Sequence, residues 1–372
     1  MHIGIPREVK IYENRVGMTP GSVRETVSQG HQVTVEHNAG HTIGFDDAEY
    51  EVAGAKIVST AAEVFSGTDM IVKVKEPQPS EIMLLRDKQI LFTYLHLAPD
   101  PKQTRGLMDS GSSCIAYETV TDDRGGLPLL APMSQVAGRM AVQAGATCLE
   151  IAHQGRGDLL GGVPGVTPAK VAGIGGGGVG SNAIFVATGM GGDVTVIDRD
   201  IHRLAEIDAQ YKSLITTRFS NQTNIEEEII NADLVIGAVL VPGAEAPKLV
   251  TEKMVRNMKR GAVIVDVAID QGGCFETSRP TTHDAPTYVV DEVVHYCVAN
   301  MPGAVARTST IALNNATLPF VLRIANMGII DAMLSDGHLM AGLNVHSGKV
   351  TYEAVAKAQE HVFVPAAEAL AA

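Results

Sequence analysis

A glycine-rich segment, GIGGGGVGSN at residues 173–182, lies between a short apolar run and a stretch with helical periodicity. The run before it, PAKVAGI, ends in apolar residues, which favours a buried strand over a polar Gly/Ser-rich linker. The template G-x-G-x-x-G fits the segment in two registers, which start at Gly173 and at Gly175. A glycine loop between a strand and a helix is typical of the phosphate-binding turn in dinucleotide-binding α/β domains.

The helix that follows decides the register. Its predicted buried face has apolar residues at i, i+3, i+4 and i+7, namely Ala183, Val186, Ala187 and Met190. Gly180 falls on that face, whereas Gly178 falls on the polar face with Asn182. We therefore assign Gly175 to the tight turn, Gly177 to the close approach of a pyrophosphate, and Gly180 to close contact between helix and strand. The helix N-terminus offers free N–H groups to the phosphates.

An acidic residue follows at the sequence separation expected for a residue that binds the adenosine ribose. The next predicted strand, DVTVID, ends at Asp198, 18 residues after Gly180. A carboxylate at that place accepts hydrogen bonds from the adenosine ribose and repels a 2′-phosphate. The sequence therefore predicts NAD rather than NADP as the cofactor, with the neighbouring Arg199 as the alternative determinant of that choice.

Strands and helices alternate through two parts of the chain. The first part has predicted strands in HIGIP, QVTVEH, DMIVKVKE, ILFTYLHL and SSCIAYETV. A long predicted helix (135–154) and the loop GGVPGVTP lead to the second part, with strands in KVAGI, DVTVID, ADLVIGAVLV, GAVIVDVAI and TYVVDEVVHYCVA. From about residue 306 the chain is predicted to be mostly helical.

This alternation predicts an α/β fold with two doubly wound Rossmann-like domains, parallel sheets and a cleft between the domains. We expect residues 1–133 and 306–372 to form one discontinuous domain, and residues 134–305 to form the nucleotide-binding domain.

Composition excludes several classes of protein. The 372 residues are 45% hydrophobic and 19% charged, which is enough for a full core. The net charge of −13 argues against a surface for nucleic acid or anionic membrane. The sequence has no run of about 18 apolar residues, and we predict neither a signal peptide nor a metal site. The four cysteines are far apart and are expected to be reduced thiols in a cytoplasmic protein.

Ionisable residues are predicted at strand ends, where parallel sheets bind ligands. Arg15 lies in the loop after the first strand, Lys75 ends DMIVKVKEP and His96 ends ILFTYLHLAP. Asp270 ends GAVIVDVAID and would face the first part across the cleft. Two cations suit a small carboxylate substrate, and Arg15 could bind the carboxylate with two parallel hydrogen bonds. A histidine exchanges protons near neutral pH. Beside a nicotinamide, this set indicates a dehydrogenase of 2-amino or 2-hydroxy acids.

Each of these residues also has a purely structural interpretation. Arg15 alone is equally consistent with a surface cation, and Lys75 alone is more typical of an exposed strand end. A single histidine such as His96 is more often a capped or core residue, and Asp270 is equally consistent with a cap on the QGG turn. Only their combination favours a catalytic site.

Several long motifs are spread along the chain: GIPRE, NRVGMTP, IVKVKEP, LFTYLHLA, IAYETV, LPLLAPMS, GGVPGV, DLVIGAVLVPG, VDVAIDQGGCFE, SRPTT and YCVANMPGAV. On these motifs the chain resembles the bacterial L-alanine dehydrogenases, within the alanine dehydrogenase and transhydrogenase alpha-subunit family, over essentially its whole length. The resemblance implies conversion of L-alanine, NAD and water to pyruvate, ammonium and NADH. It also implies a homohexamer with a discontinuous substrate domain and a central NAD domain.

The resemblance implies roles for individual residues. Arg15 and Lys75 would hold the substrate carboxylate and carbonyl oxygen, and His96 would be the acid/base group. Asp270 would assist proton handling and water activation. The cofactor would be bound by Ser134, Gly178, Asp198, Arg203, Ser220, Val239, Leu240, Val267, Ala268, Ile269, Asp270, Arg279, Val298, Ala299, Asn300 and Met301.

Two other functions are compatible with such a chain. One is the soluble NAD-binding component of a proton-translocating transhydrogenase, which is a binding module of a membrane complex. The other is an opine-type or lysine-pathway dehydrogenase, which condenses two substrates. The histidine of YLHLA and the lack of a membrane segment disfavour the first, and the full-length motif match disfavours the second.

Overall fold

The structure, a computed structural model, describes residues 1–239 and 246–371. It divides into two compact units, which are named here unit 1 (residues 1–133 and 305–372) and unit 2 (residues 134–304). Each unit contains one sheet of mostly parallel strands flanked by helices, so the predicted α/β class is confirmed.

The first 133 residues supply six strands of unit 1: β1 (His2–Ile5), β2 (Gln32–Glu36), β3 (Lys56–Val58), β4 (Met70–Val72), β5 (Ile90–Thr93) and β6 (Ser113–Ala116). They alternate with α1 (Pro20–Ser28), α2 (Asp47–Val52), α3 (Ala61–Gly67), α4 (Pro79–Ile82) and α5 (Pro101–Asp109). Helix starts follow local sequence signals, since Thr19 caps α1 and Asp100 caps α5 through their side-chain oxygens. A proline in the first turn of each helix needs no N–H partner there.

The middle of the chain begins with the long helix α6 (Ala131–Cys148). Seven strands follow: β7 (Lys170–Ile174), β8 (Asp193–Asp198), β9 (Ile215–Phe219), β10 (Leu234–Gly237), β11 (Val263–Asp266), β12 (Thr287–Val290) and β13 (Val293–Tyr296). The helices between them are α7 (Gly178–Gly189), α8 (Ile201–Tyr211), α9 (Gln222–Asn231) and α10 (Glu252–Arg256).

The last part of the chain returns to unit 1. It forms α11 (Ala306–Met327), α12 (Ile329–Leu334), α13 (Gly337–Met340), β14 (Leu343–His346), β15 (Lys349–Val350), α14 (Glu353–Ala358) and α15 (Ala366–Leu370).

Both sheets have the strand order of a doubly wound fold. In unit 1 the order is β15-β14-β6-β5-β4-β1-β2-β3, and in unit 2 it is β12-β13-β11-β10-β7-β8-β9. In each case the first strand of the unit lies between its second and fourth strands, which is the switch point where such sheets bind ligands. The central strands are buried on both faces, as β4 (MIV) and β10 (LVIG) illustrate, because helices cover both sides of the sheet.

Several edge elements differ from the sequence prediction. Strands β3, β9, β14 and β15 were not predicted, and the last two lie in the segment expected to be mostly helical. The segment TYVVDEVVHYCVA is a hairpin rather than one strand, because Asp291 and Glu292 both have positive φ (49° and 61°) and reverse the chain between Val290 and Val293. The predicted all-parallel sheets therefore have antiparallel edges at β12, β14 and β15.

Two helix predictions also need correction. The helix expected over 135–154 occupies residues 131–148 instead. Met190, expected on the buried face of α7, is 46% exposed because the helix has already ended at Gly189. Among the described residues, no helix combines the length and the apolarity that crossing a membrane requires.

Candidate active site

The glycine loop lies at the carboxyl end of β7, at the switch point of the unit 2 sheet. Gly175 has φ +99°, and a Cβ there would lie 2.7 Å from the carbonyl oxygen of Ala238. A Cβ on Gly180 would lie 1.8 Å from the carbonyl oxygen of Gly175, so no side chain fits. Gly177 is the N-cap of α7 and has open space where a Cβ would be. The loop therefore presents the N-terminus of a 12-residue helix to open space, as a pyrophosphate requires.

Gly176 links this loop to Asp198, the residue predicted to bind the adenosine ribose. Its N–H donates to Asp198 Oδ2 (2.6 Å), and its carbonyl oxygen accepts from Arg203 Nε (2.7 Å). A Cβ at Gly176 would lie 2.7 Å from Ile207 Cδ1, which explains a glycine that the G-x-G-x-x-G template does not require. At Gly173 the nearest atom to a Cβ would be 3.9 Å away, and nothing in the structure explains that glycine.

Two other predicted cofactor residues, Ser134 and Ser220, lie close to the glycine loop and to Asp198 respectively. The Cβ of Ser134, in α6, lies 3.6 Å from the position that a Cβ on Gly178 would occupy. Ser220 follows β9 and donates its N–H to the carbonyl oxygen of Asp198 (2.8 Å). Val239 follows β10, and Leu240 lies outside the described residues.

Asp270 lies in a 3-10 turn, Val267–Gln271, that begins directly after β11. Its side chain is exposed, and its carboxylate oxygens accept from the N–H of Asn300 at 3.3 and 3.4 Å. This contact joins two predicted cofactor segments, Val267 to Asp270 and Val298 to Met301. The guanidinium of Arg279 lies 4.3 Å from the ring centroid of Tyr288, over its face.

A buried carboxylate that was not predicted organises this region. Asp266 is fully buried and accepts hydrogen bonds from Ala268 N (3.1 Å), Cys274 N (2.9 Å) and Ser278 Oγ (2.6 Å). Burial raises the pKa of Asp266, and these hydrogen bonds act against that shift. An acid at the end of the apolar strand VIVD was the available sequence signal.

In unit 1, Arg15 is buried and paired with Glu13. Arg15 Nε lies 2.7 Å from Glu13 Oε1, and Nη2 lies 2.5 Å from Oε2. Burial acts to lower the pKa of Arg15, but the hydrogen bonds and charge of Glu13 outweigh it and raise the pKa. The bidentate edge expected to hold a substrate carboxylate is thus occupied by Glu13, and Nη1 instead lies 3.1 Å from Met133 Sδ.

Lys75 and His96 follow neighbouring parallel strands, although both lie three residues beyond the strand ends at Val72 and Thr93. The two segments stay side by side past the strands: the N–H of Tyr94 donates to the carbonyl oxygen of Val74 (3.2 Å), and Thr93 Oγ1 donates to that of Lys75 (2.9 Å). The Lys75 side chain is only 14% exposed, and its Nζ lies 3.4 Å from Glu76 Oε2. Burial alone would raise the pKa of Glu76, but Lys75 and Lys10 hold it at about 2.

The imidazole of His96 is the most accessible of the predicted unit 1 groups, with 46% of its side chain exposed. Its ring is stacked on Tyr94, with 5.9 Å between ring centroids and 8° between the planes. His96 has φ +50°, in the left-handed region, and its N–H donates to Glu118 Oε1 (2.6 Å). His96 is therefore not a core histidine.

A second buried charge cluster lies beside Lys75. Lys73 is fully buried, with Nζ 2.9 Å from Glu8 Oε2 and 3.1 Å from Glu81 Oε2. Burial would lower the pKa of Lys73, but the two carboxylates outweigh it and raise the pKa. Glu8 Oε1 also accepts from the N–H of Val74 (2.6 Å), which fixes the main chain next to Lys75. The sequence signal for this cluster was a lysine inside the apolar run MIVKV.

Arg15 lines a cavity of about 360 Å³ together with Glu8, Lys10, Tyr12 and Asn14. Neither Lys75 nor His96 is among the described residues that line it. In the part of the chain that the structure describes, no three His, Cys, Asp or Glu side chains are grouped so as to hold a metal ion.

Comparison with known proteins identifies relatives over the whole chain. Residues 4–137 match the family model of the alanine dehydrogenase/PNT N-terminal domain, and residues 141–353 match that of the C-terminal domain. An alanine dehydrogenase of Halomonas elongata is 58% identical over 367 residues, covering 99% of both chains. One from Bacillus subtilis is 54% identical over 371 residues, covering 100% of this chain and 98% of the relative.

Solved structures agree with these relatives. An L-alanine dehydrogenase superposes with a TM-score of 0.94 at 50% identity, over 96% of this chain and 99% of the other. A transhydrogenase from Sinorhizobium meliloti superposes with a TM-score of 0.81 at 26% identity, over 95% and 100%. Because both halves match the two domain models and the curated relatives match end to end, the chain belongs to the alanine dehydrogenase/PNT family.

Proposed function

We propose that the chain is an L-alanine dehydrogenase, which reversibly converts L-alanine, NAD and water to pyruvate, ammonium, NADH and a proton. The main support is the whole-length similarity to alanine dehydrogenases, at more than half identical residues. The site geometry supports the same chemistry, because unit 2 has a dinucleotide loop and unit 1 has an accessible histidine beside a lysine.

Unit 1 is proposed to be the substrate domain. Lys75 would hold the substrate carboxylate or carbonyl oxygen by charge, and it is the better placed of the two cations because Glu13 already occupies the fork of Arg15. Arg15 is proposed to contribute positive charge on the substrate side of unit 1. His96 would take the proton from the attacking water and return it to the leaving amine.

Unit 2 is proposed to be the NAD-binding domain. The N–H groups at Gly177 and Gly178 would hold the pyrophosphate, and Asp198 would accept from the ribose hydroxyls. Further contacts would come from Ser134, Arg203, Ser220, Val239, Leu240, Val267, Ala268, Ile269, Arg279, Val298, Ala299, Asn300 and Met301. Bound NAD supplies the oxidant for the Cα–H bond of alanine.

Water then has to be added to the oxidised substrate. Water attacks the imine carbon of iminopyruvate, and the resulting carbinolamine loses ammonia to give pyruvate. His96 and Asp270 would handle the protons of these two steps. Lys75 would stabilise the negative charge that develops on the carbinolamine oxygen and on the carboxylate.

The direct test is NADH formation from a panel of small L-amino acids, with NAD and NADP compared. We expect turnover with L-alanine and NAD, and the reverse reaction with pyruvate only when ammonium is present. A transhydrogenase module would need no ammonium, and an opine-type enzyme would accept a second amino acid in its place. Either result would contradict the proposal.

Replacing Lys75 by alanine should weaken pyruvate binding about 10- to 100-fold, because a hydrogen bond to a charged group contributes about 1.5–3 kcal/mol. NADH affinity should be unchanged. Steady-state KM values and calorimetric NADH titration measure the two effects. Lys56→Ala is the matched control, because Lys56 begins the edge strand β3 of the same sheet, whereas Lys75 follows the central strand β4. An equal loss of NADH affinity in Lys75→Ala would contradict the assignment of Lys75 to the substrate.

Replacing Asp198 by serine should shift the ratio of kcat/KM values toward NADP by about tenfold, because it removes the repulsion between a carboxylate and a 2′-phosphate. Binding of NAD should also weaken, since Gly176 N–H loses its acceptor. Asp193→Ser, at the other end of β8, is the control. An unchanged cofactor ratio would transfer the determinant of cofactor choice to another residue, with Arg199 the first candidate.

We also propose a cytoplasmic homo-oligomer, with the hexamer as the expected form. The four cysteines are buried free thiols, as is usual in a reducing compartment. Large apolar side chains are exposed at Ile151, Leu159, Val163 and Val166 in unit 2, which is typical of a surface that another protein covers. Light scattering of the purified chain measures the oligomeric state.

A further inference from the structure

The carboxylate of Glu118 accepts hydrogen bonds from the main chain at His96. Glu118 lies in the 3-10 turn Tyr117–Thr119 that follows β6. Its Oε1 accepts from the N–H of His96 (2.6 Å) and of Leu95 (3.1 Å), and Oε2 accepts from Leu95 at 3.2 Å. Strands β5 and β6 pair in parallel, so the chain beyond β6 lies beside the chain beyond β5.

These contacts oppose a conformation that would otherwise be unfavourable. His96 has φ +50°, and a left-handed residue other than glycine costs about 1–2 kcal/mol. Hydrogen bonds to a charged acceptor are stronger than neutral ones, and Glu118 makes them to two successive N–H groups. The main chain at His96 is thereby held in a conformation in which the His96 ring stacks on Tyr94. Tyr94 is itself fixed, because its hydroxyl donates to the carbonyl oxygen of Leu129 (2.6 Å).

Glu118 also faces one particular atom of the imidazole. His96 Nδ1 lies 3.9 Å from Glu118 Oε1, which is beyond a direct hydrogen bond but close enough for charge or a bridging water to act. A carboxylate beside Nδ1 favours the tautomer with its proton on that nitrogen, and leaves Nε2 as the basic atom.

We propose that Glu118 is a positioning residue for His96: it holds the left-handed turn that aims the imidazole and keeps the proton on Nδ1, so that Nε2 exchanges the proton with the substrate. This inference rests on the proposed function, in which His96 is the acid/base group. Glu118 acts through His96 and needs no contact with the substrate.

The test compares Glu118→Ala and Glu118→Gln in the full-length chain. Removing the carboxylate should lower kcat with L-alanine roughly 10²-fold, as small misplacements of a catalytic group do. Gln keeps an oxygen acceptor for the N–H groups without the charge, so its loss should be smaller. The KM for alanine and the affinity for NADH should change little in either variant. Glu63→Gln is the matched control, because Glu63 also accepts main-chain N–H groups, at Ser59 and Thr60.

A double variant separates positioning from a general structural role. In a His96→Asn background, Glu118→Ala should lower kcat no further, because a residue that acts only through His96 has nothing left to position. A further loss of the full single-variant size would overturn the inference, and so would a Glu118→Ala kcat within about threefold of the unmodified chain. If the unmodified chain forms no NADH from alanine, the proposed function fails instead.

Discussion

Replacing His96 by alanine should lower kcat with L-alanine by roughly 10²–10⁴-fold, the usual contribution of a positioned acid/base group. The affinity for NADH should stay the same, because the predicted cofactor residues belong to unit 2 and His96 belongs to unit 1. Stopped-flow or steady-state measurement of NADH formation gives kcat, and calorimetry gives the NADH affinity.

The main-chain conformation of His96 needs its own control. At φ +50° alanine is itself unfavourable, so part of any loss with His96→Ala could come from a shifted main chain. Asparagine is enriched in this region, so His96→Asn removes the imidazole with less strain. Both variants should lose turnover to a similar extent. His153→Ala, at an exposed position in unit 2, should keep normal turnover. Near-normal turnover in both His96 variants would show that the acid/base group is another residue.

The apparent equilibrium constant of the net reaction should rise about tenfold per pH unit, which corresponds to about 1.4 kcal/mol. Zwitterionic alanine, NAD and water give pyruvate, ammonium and NADH with release of one proton, as long as the pH is below the pKa of ammonium. Between about pH 6 and pH 8.5 the ratio should therefore change by about 300-fold. Alkaline solution favours oxidation of alanine, and a lower pH favours amination of pyruvate.

The measurement is the NADH absorbance at equilibrium, approached from both directions, with alanine, pyruvate and ammonium present. This test concerns the reaction and is independent of any residue assignment, so an engineered variant such as Lys75→Ala should reach the same ratio more slowly. A ratio indifferent to pH, or reduction of pyruvate without ammonium, would contradict alanine dehydrogenase activity.

Much of the fold follows from local patterns in the chain. The central strands are buried on both faces and therefore form continuous apolar runs, which separate clearly from the helices between them. The edge strands have no such pattern. Strand β3 is three residues long, and β9 (ITTRF) mixes polar and apolar residues, because an edge strand needs only one neighbour and less burial.

The turn formed by the glycine loop could be predicted because all its parts are close in sequence. Gly175, Gly177, Gly180 and Asp198 lie within one strand–helix–strand unit. Gly175 and Gly180 have no room for a side chain, and Asp198 accepts a hydrogen bond from the loop. The pairing of β4 with β5 could be predicted for the same reason, and it places Lys75 and His96 in neighbouring segments of the main chain.

Only the tertiary structure decided which partners the charged side chains have. Glu118 reaches His96 across 22 residues of sequence, and Glu8 reaches Lys73 across 65. Arg15 has Glu13 close in sequence, yet only the folded loop shows that the carboxylate takes the bidentate edge of the guanidinium. Apolar burial is encoded residue by residue, because any apolar neighbour satisfies it. A buried charge needs one particular partner at hydrogen-bond distance, and the sheet order selects that partner.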